Sequence, residues 1–151
     1  MDLFDIVKAT CDNIKELFPA APIYIMQIPE GFKRPSFGVG IAGFRDADLC
    51  RDGLRRSVSL SITYFAPQDA KGIVNAPDQL AAYQRLLTLF QRQSLPVSDR
   101  HLTISRIDGG PRDSEIYLTV GLEYTFTPDL PDHLEPVDYE LMQKLYLDYQ
   151  E

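Results

Sequence analysis

Cysteine and histidine are scarce in this chain. Cys11 and Cys50 are its two cysteines, far apart and without the close spacing of metal-ligand pairs, so they read as two reduced structural thiols. His101 and His133 are the two histidines, in no H-E-x-x-H or paired-ligand arrangement. No metal and no cofactor is therefore expected. No stretch approaches the ~18 apolar residues of a membrane span, so no membrane partner is expected either. An excess of positive charge is also missing. Lys and Arg number 15 against 22 Asp and Glu, for a net charge of -7. Tight sequence-specific nucleic-acid binding needs cations to displace counterions from phosphates, and the chain offers no basic stripe. The opening MDLFDIVKATCDNIKELF carries acids early and lacks the cationic start, apolar block and small-residue site of a signal peptide. The chain is expected to be intracellular where it is made.

What is present is an ordinary globular composition. Hydrophobic residues make up 44% of the 151 and charged residues 25%, which suits one domain with a real core. The acidity is localised. Residues 128–151 hold seven carboxylates against Lys144 alone, while the other 127 residues, with 15 acids and 14 bases, are nearly neutral. The domain division that follows is a single α+β domain over 1–127 and an acidic, proline-rich connector with a C-terminal arm or short helix over 128–151.

Periodicity gives the elements. Leu3, Ile6, Val7, Thr10, Ile14, Leu17 and Phe18 recur at three- and four-residue steps, predicting a helix over 2–18 that ends at Pro19. PIYIMQI (22–28) is a short β-rich run. In SFGVGIAGF, Phe37, Val39 and Ile41 face one way and Gly38, Gly40 and Ala42 the other. In SVSLSITYF, Val58, Leu60, Ile62 and Tyr64 oppose Ser57, Ser59, Ser61 and Thr63. Between these strands RDADLCRDGLR reads as an extended charged loop. Asn75, with Asp78 three residues on, is a capping-box-like start for a helix from Ala76 to Arg92. Its stripe is Leu80, Tyr83, Leu86, Leu87 and Phe90. LTISRI (102–107) and EIYLTVGLEYTF (115–126) form a hairpin turned by DGGPRDS. The fold class expected is α+β, a mostly antiparallel sheet of four to five strands with helices packed on one face.

No residue set announces chemistry. PEGFKRPSFGVGI (29–41) has glycines and a Lys33–Arg34 pair, yet lacks G-x-x-x-x-G-K-[ST] and leads into a strand, not a helix. The serines alternate along a strand instead of sitting on a nucleophile elbow. Asp46 and Asp48 lie among Arg45, Arg51, Arg55 and Arg56, as in a solvated, self-paired loop. The faces of small residues are better suited to close approach by another backbone or sheet. Leu141, Met142, Leu145, Tyr146, Leu147 and Tyr149 are too apolar for a free tail and are expected to dock on this subunit or a neighbour. Three readings stay open from the residues alone: an assembly protein, a small intracellular enzyme with a dispersed active site, and an adaptor module that binds a peptide at a sheet edge.

ELFPAAPIYIMQIPEGFKRPSFGVGI, followed by RRSVSLSITYF, resembles the phage tail terminator family of bacterial prophages and related tail-like particles. The shared features are a helix ending in LFP, a PIY strand, GFK-x-P-x-F with alternating apolar residues, a basic-polar strand ending in YF, and a helix after it. The resemblance implies a non-enzymatic virion structural protein. It would form a homo-oligomeric ring, a hexamer, on the end of a completed tail tube, stop tube polymerisation and present a head-proximal surface. Its partners would be itself, the tail tube protein, and a sheath or head–tail connector protein. Its location would be a virion or a headless tail-like particle such as a tailocin, assembled in the bacterial host cytoplasm. The candidate subunit or tube contacts are Lys33, Arg34, Arg45, Arg51, Arg55 and Arg56.

Overall fold

A computed structural model describes residues 1–129. Its elements run α1 (Leu3–Leu17), β1 (Ile23–Ile25), β2 (Ser36–Cys50), β3 (Gly53–Phe65), α2 (Ala76–Phe90), β4 (Ser94–Val97), β5 (Arg100–Arg112) and β6 (Glu115–Phe126). The strands make one sheet in the order β1-β2-β3-β6-β5-β4. All neighbours are antiparallel except β1 and β2, which pair in parallel from Ile23↔Phe37 to Ile25↔Val39. The fold is thus α+β as expected. The sheet has six strands with one parallel pairing, where a mostly antiparallel sheet of four to five strands was expected.

Each departure has a local cause. The strand that the sequence reading misses is β4, SLPV. Its Pro96 looks like a stop beyond α2, but at a sheet edge the absent N–H costs no ladder bond. Leu95 and Val97 on either side are 0% and 1% exposed, which gives the strand its reason to form. PIYIMQI is cut to three residues because Met26 turns to φ 65°. The RDADLCRDGLR stretch is not a loop. β2 and β3 continue through it to a tight turn at Arg51–Asp52. The turn of the β5–β6 hairpin is likewise short, at Asp113–Ser114, with β5 running on through the glycines.

Helix α1 is closed by a capping box that pattern reading passed over. The Asp5 N–H donates to Asp2 Oδ1 at 2.9 Å, and the Asp2 N–H donates to Asp5 Oδ2 at 2.8 Å. Asn75 does sit at the N-cap of α2, but its side chain makes no cap bond. Pro77 follows in the first turn and removes one of the N–H groups such a cap would serve. α2 buries Leu86 and Phe90, while Leu80, counted in the stripe, is 57% exposed.

Both helices lie over one face of the sheet. Ile6 and Ile14 of α1 and Leu86 and Phe90 of α2 join Val39, Leu60, Ile62, Leu118, Val120 and Leu122 in one core. β6 alternates along this face, with Ile116, Leu118, Val120 and Leu122 at most 1% exposed. The opposite face carries the small residues, and part of it is covered by the chain itself. A Cβ on Gly38 would lie 3.2 Å from Ile28 Cδ1, and one on Gly40 would lie 3.3 Å from Met26 Sδ. The close neighbour that these glycines admit is the chain's own segment after β1.

Among the glycines, Gly109 leaves the least room for a side chain. A Cβ there would collide with the Tyr83 hydroxyl and with the backbone oxygen of Tyr117, whereas Gly110 has open space around it. Gly109→Ala is expected to destabilise by about 1–3 kcal/mol through overpacking against backbone. Gly110→Ala is expected to be neutral or slightly stabilising, since alanine loses less backbone entropy on folding. Urea unfolding of the two variants checks the contrast.

Candidate functional site

The six candidate cations fall into two kinds and two places. Lys33 and Arg34 lie in the loop before β2, at the end of the sheet where β2 begins. Arg45, Arg51, Arg55 and Arg56 lie around the β2–β3 hairpin at the other end. A fifteen-residue strand separates the groups by on the order of 40 Å, so no single small contact unites them.

Two of the six are held within the subunit. Arg34 is half-buried. Its Nη1 donates to the Ala66 carbonyl at 3.0 Å, and its guanidinium lies 5.2 Å from the Phe32 ring centroid and 5.7 Å from that of Phe65. It pins the loop before β2 to the end of β3. Arg56 is the centre of a second cluster. It makes a two-pronged pair with Asp46, Nε to Oδ1 at 2.6 Å and Nη2 to Oδ2 at 2.8 Å. It also lies over the Phe126 ring at 4.5 Å and the Phe44 ring at 5.5 Å. The hydrogen bond from Arg56 is the main cause that holds the Asp46 carboxyl below its usual range, and the same bond raises the Arg56 guanidinium. The folded-state value of Asp46 is the lower one. This pairing therefore contributes above the ordinary carboxylate value of about 4 and is lost as pH falls through the depressed one.

The remaining four are exposed. Lys33 uses its backbone N–H, not its side chain, to reach the Tyr24 hydroxyl at 3.1 Å. Register places Arg45 opposite Ser57 and Arg55 opposite Ala47, both on the face of the sheet away from the helices. Arg51 is at the hairpin tip. Asp46 is occupied by Arg56, and among the described residues no group of three metal-ligating side chains occurs.

Residues that the sequence reading did not combine also meet here. Arg55, Arg100, His101, Thr103, Glu123 and Thr125 are among the residues that line an open polar groove at the hairpin end of the sheet. They come from three strands and are joined only by register, with Arg55 opposite Thr125 and Thr103 opposite Glu123. Arg100 Nη1 donates to the Thr125 carbonyl at 3.1 Å. The signal available in advance was the alternation of β3 and β6; the pairing of the two strands was not in it.

The sheet leaves two edges unpaired among the described residues, and they lie diagonally. β1 and Met26 cover β2 as far as Ile41, so β2 has an open outer edge from there to the hairpin tip. β4 and Gln93 cover β5 as far as Ile104, so β5 is open from there toward the opposite end. Side chains on these edges include Asp46 and Asp48 on β2 and Arg106 and Asp108 on β5.

Comparison with known proteins adds the family. The family model for phage tail terminator proteins matches residues 5–135. No curated protein matches the chain. Among solved structures, a chain from the virion of a native gene transfer agent particle is 13% identical at a TM-score of 0.47, covering 80% of this chain and 93% of that one. A second solved chain is 17% identical at a TM-score of 0.44, covering 87% of this chain and 99% of that one. At TM-scores below 0.5 neither likeness bears on function. The family match runs from the first helix through every strand of the sheet, and so the chain belongs to the phage tail terminator family of structural phage-tail proteins.

Proposed function

We propose that the chain closes into a homo-oligomeric ring, a hexamer, that caps the head-proximal end of a tail tube and ends its polymerisation. The observation that carries this reading is the family match over residues 5–135. In the same reading the ring meets the tail tube protein on one side. On the other side it meets a head–tail connector, or nothing in a headless particle such as a tailocin, with a sheath around the tube where the tail contracts. It is assembled in the bacterial host cytoplasm and acts without catalysis.

Three features of the subunit support a ring. Open edges on opposite sides of one sheet suit a head-to-tail contact, in which one patch meets a different patch on the next copy, and such contacts close when the rotation allows. The outer sheet face of Ser57, Ser59 and Gly121 carries side chains small enough for a second surface to approach. A chain whose acids outnumber its bases does not grip DNA passing through a ring. Arg45, Arg51 and Arg55 are assigned to contact with the tube or a neighbour at the hairpin end. Lys33 is assigned to a second contact at the other end. The open β2 edge would also take an added peptide strand, the adaptor reading, but the family match favours assembly.

Electron microscopy of particles made without this protein tests the role. Tails of irregular or excess length, or tails that fail to complete, are expected; tails of normal fixed length would reject it.

A finer test separates contact from structure. The triple variant Arg45→Glu, Arg51→Glu, Arg55→Glu changes exposed positions only, and each substitution is expected to move stability by no more than about 0.5 kcal/mol. Ring formation and tube capping should nevertheless be lost. Arg56→Ala, by contrast, should lower the thermal midpoint, because it strips the partner from Asp46 and the cover from two aromatic rings. If the triple variant assembles and caps tubes normally, these arginines are not contacts.

A further inference from the structure

Cover over the helix-facing side of the sheet stops before the sheet does. Val58 and Leu122 are 1% and 0% exposed, but Phe44, directly opposite Val58, is 60% exposed. Farther toward the hairpin tip, Leu54, Tyr124 and Phe126 are only half-buried. The register puts them together, with Leu54 against Phe126 and Arg56 against Tyr124. Arg56 lies between the Phe44 and Phe126 rings with its charge already met by Asp46. The result is an aromatic patch that continues the core face past the reach of α1 and α2. Among the described residues, nothing closes it over.

The next part of the chain starts at this patch. β6 ends at Phe126, inside it, and the described chain ends three residues on at Asp129. The segment that follows is unlike the rest of the sequence in two ways that match the patch. At helical spacing Leu141, Met142, Leu145, Tyr146 and Tyr149 fall on one face. Around them stand Glu140, Asp148 and Glu151, with Lys144 the one base. At the same end of the sheet, Arg100 at the mouth of β5 is exposed. It has no carboxylate within ion-pair distance among the described residues. The ten residues from Thr127 to Pro136 span up to roughly 30 Å when extended, more than enough to return to a surface beside Phe126.

We propose that residues 137–149 dock on the aromatic patch of their own subunit, their apolar face over Phe44 and Phe126 and their carboxylates toward Arg100. The segment thereby supplies the cover that α1 and α2 give to the rest of that face. The patch lies on the helix-facing side of the sheet, opposite the outer face of Ser57, Ser59 and Gly121 assigned to ring contacts. The docking therefore holds whether or not the chain forms a ring.

The chain contains no tryptophan, so Phe44→Trp places a single indole fluorophore in the patch. In the full chain its emission is expected at short wavelength with slow acrylamide quenching, both independent of dilution. The same variant ended at Asp129 should emit at longer wavelength and quench faster. A full-length Phe44→Trp chain that also carries Leu141→Asp and Leu145→Asp should behave like the shortened one while keeping its circular dichroism. That variant decides the matter if the shortened chain fails to fold. An indole equally exposed in the full-length and doubly substituted chains would overturn the proposal. So would protection that disappears on dilution, or that persists in the shortened chain and grows with concentration, since the occupant would then be a second copy.

Discussion

The pairing of β3 with β6 is the constraint on which the rest of the structure depends. It runs without a bulge from Leu54↔Phe126 to Phe65↔Glu115, joining stretches far apart in sequence. That register sets Val58, Leu60 and Ile62 beside Leu122, Val120 and Leu118, which makes the core face continuous across the middle of the sheet. It also sets Ser57 against Glu123 and Arg55 against Thr125 on the other face, and Arg56 against Tyr124 beneath the hairpin. A slip by one residue would turn every apolar side chain outward, so burial on one face holds both faces in place. The partners on either side, β2 and β5, do carry bulges, at Ile41/Gly43, Asp48/Cys50 and Ile104/Arg106. Irregularity is thus kept away from the central pair.

How much of this is legible in the sequence follows from where burial provides the signal. α1, the middle of β2 and β3, and all of β6 alternate or recur as their buried faces require, and they read correctly. The hairpin ends do not. From Arg45 to Arg56 both faces meet solvent or each other, so the strands persist through cross-strand pairs such as Asp46–Arg56 instead of an apolar stripe. A reading based on hydrophobic period sees only a charged loop there. β4 is hidden for a different reason. Four residues with a central proline look like punctuation, and only the Leu102 side of the core, unseen in a linear reading, gives Leu95 and Val97 somewhere to go.

The candidate site shows the same limit at the level of single side chains. Six cations were picked out by type and neighbourhood, yet what each does depends on groups remote in sequence. Arg34 finds the Ala66 carbonyl and the Phe65 ring about thirty positions away, and Arg56 finds Phe126 seventy positions away. Nothing local distinguishes them from Arg51 or Arg55. The glycines of FGVGI teach the converse. Their small face was correctly read as room for a close neighbour, but the neighbour at Gly38 and Gly40 is the chain's own Ile28 and Met26.

The open edges carry the last step. A long unpaired strand edge invites indiscriminate pairing, and proteins blunt it with charge and bulges. β2 does both, with Arg45, Asp46 and Asp48 along its free length and bulges at each end of it. β5 has a bulge where its free length begins and an Arg106–Asp108 pair along it. Any strand that meets either edge must match mixed charges and a local kink, so a casual partner gains little from the backbone bonds alone. Edges guarded this way admit one arrangement of neighbours more readily than many. In a subunit whose two edges lie on opposite sides, that selectivity separates a closed ring from open-ended stacking.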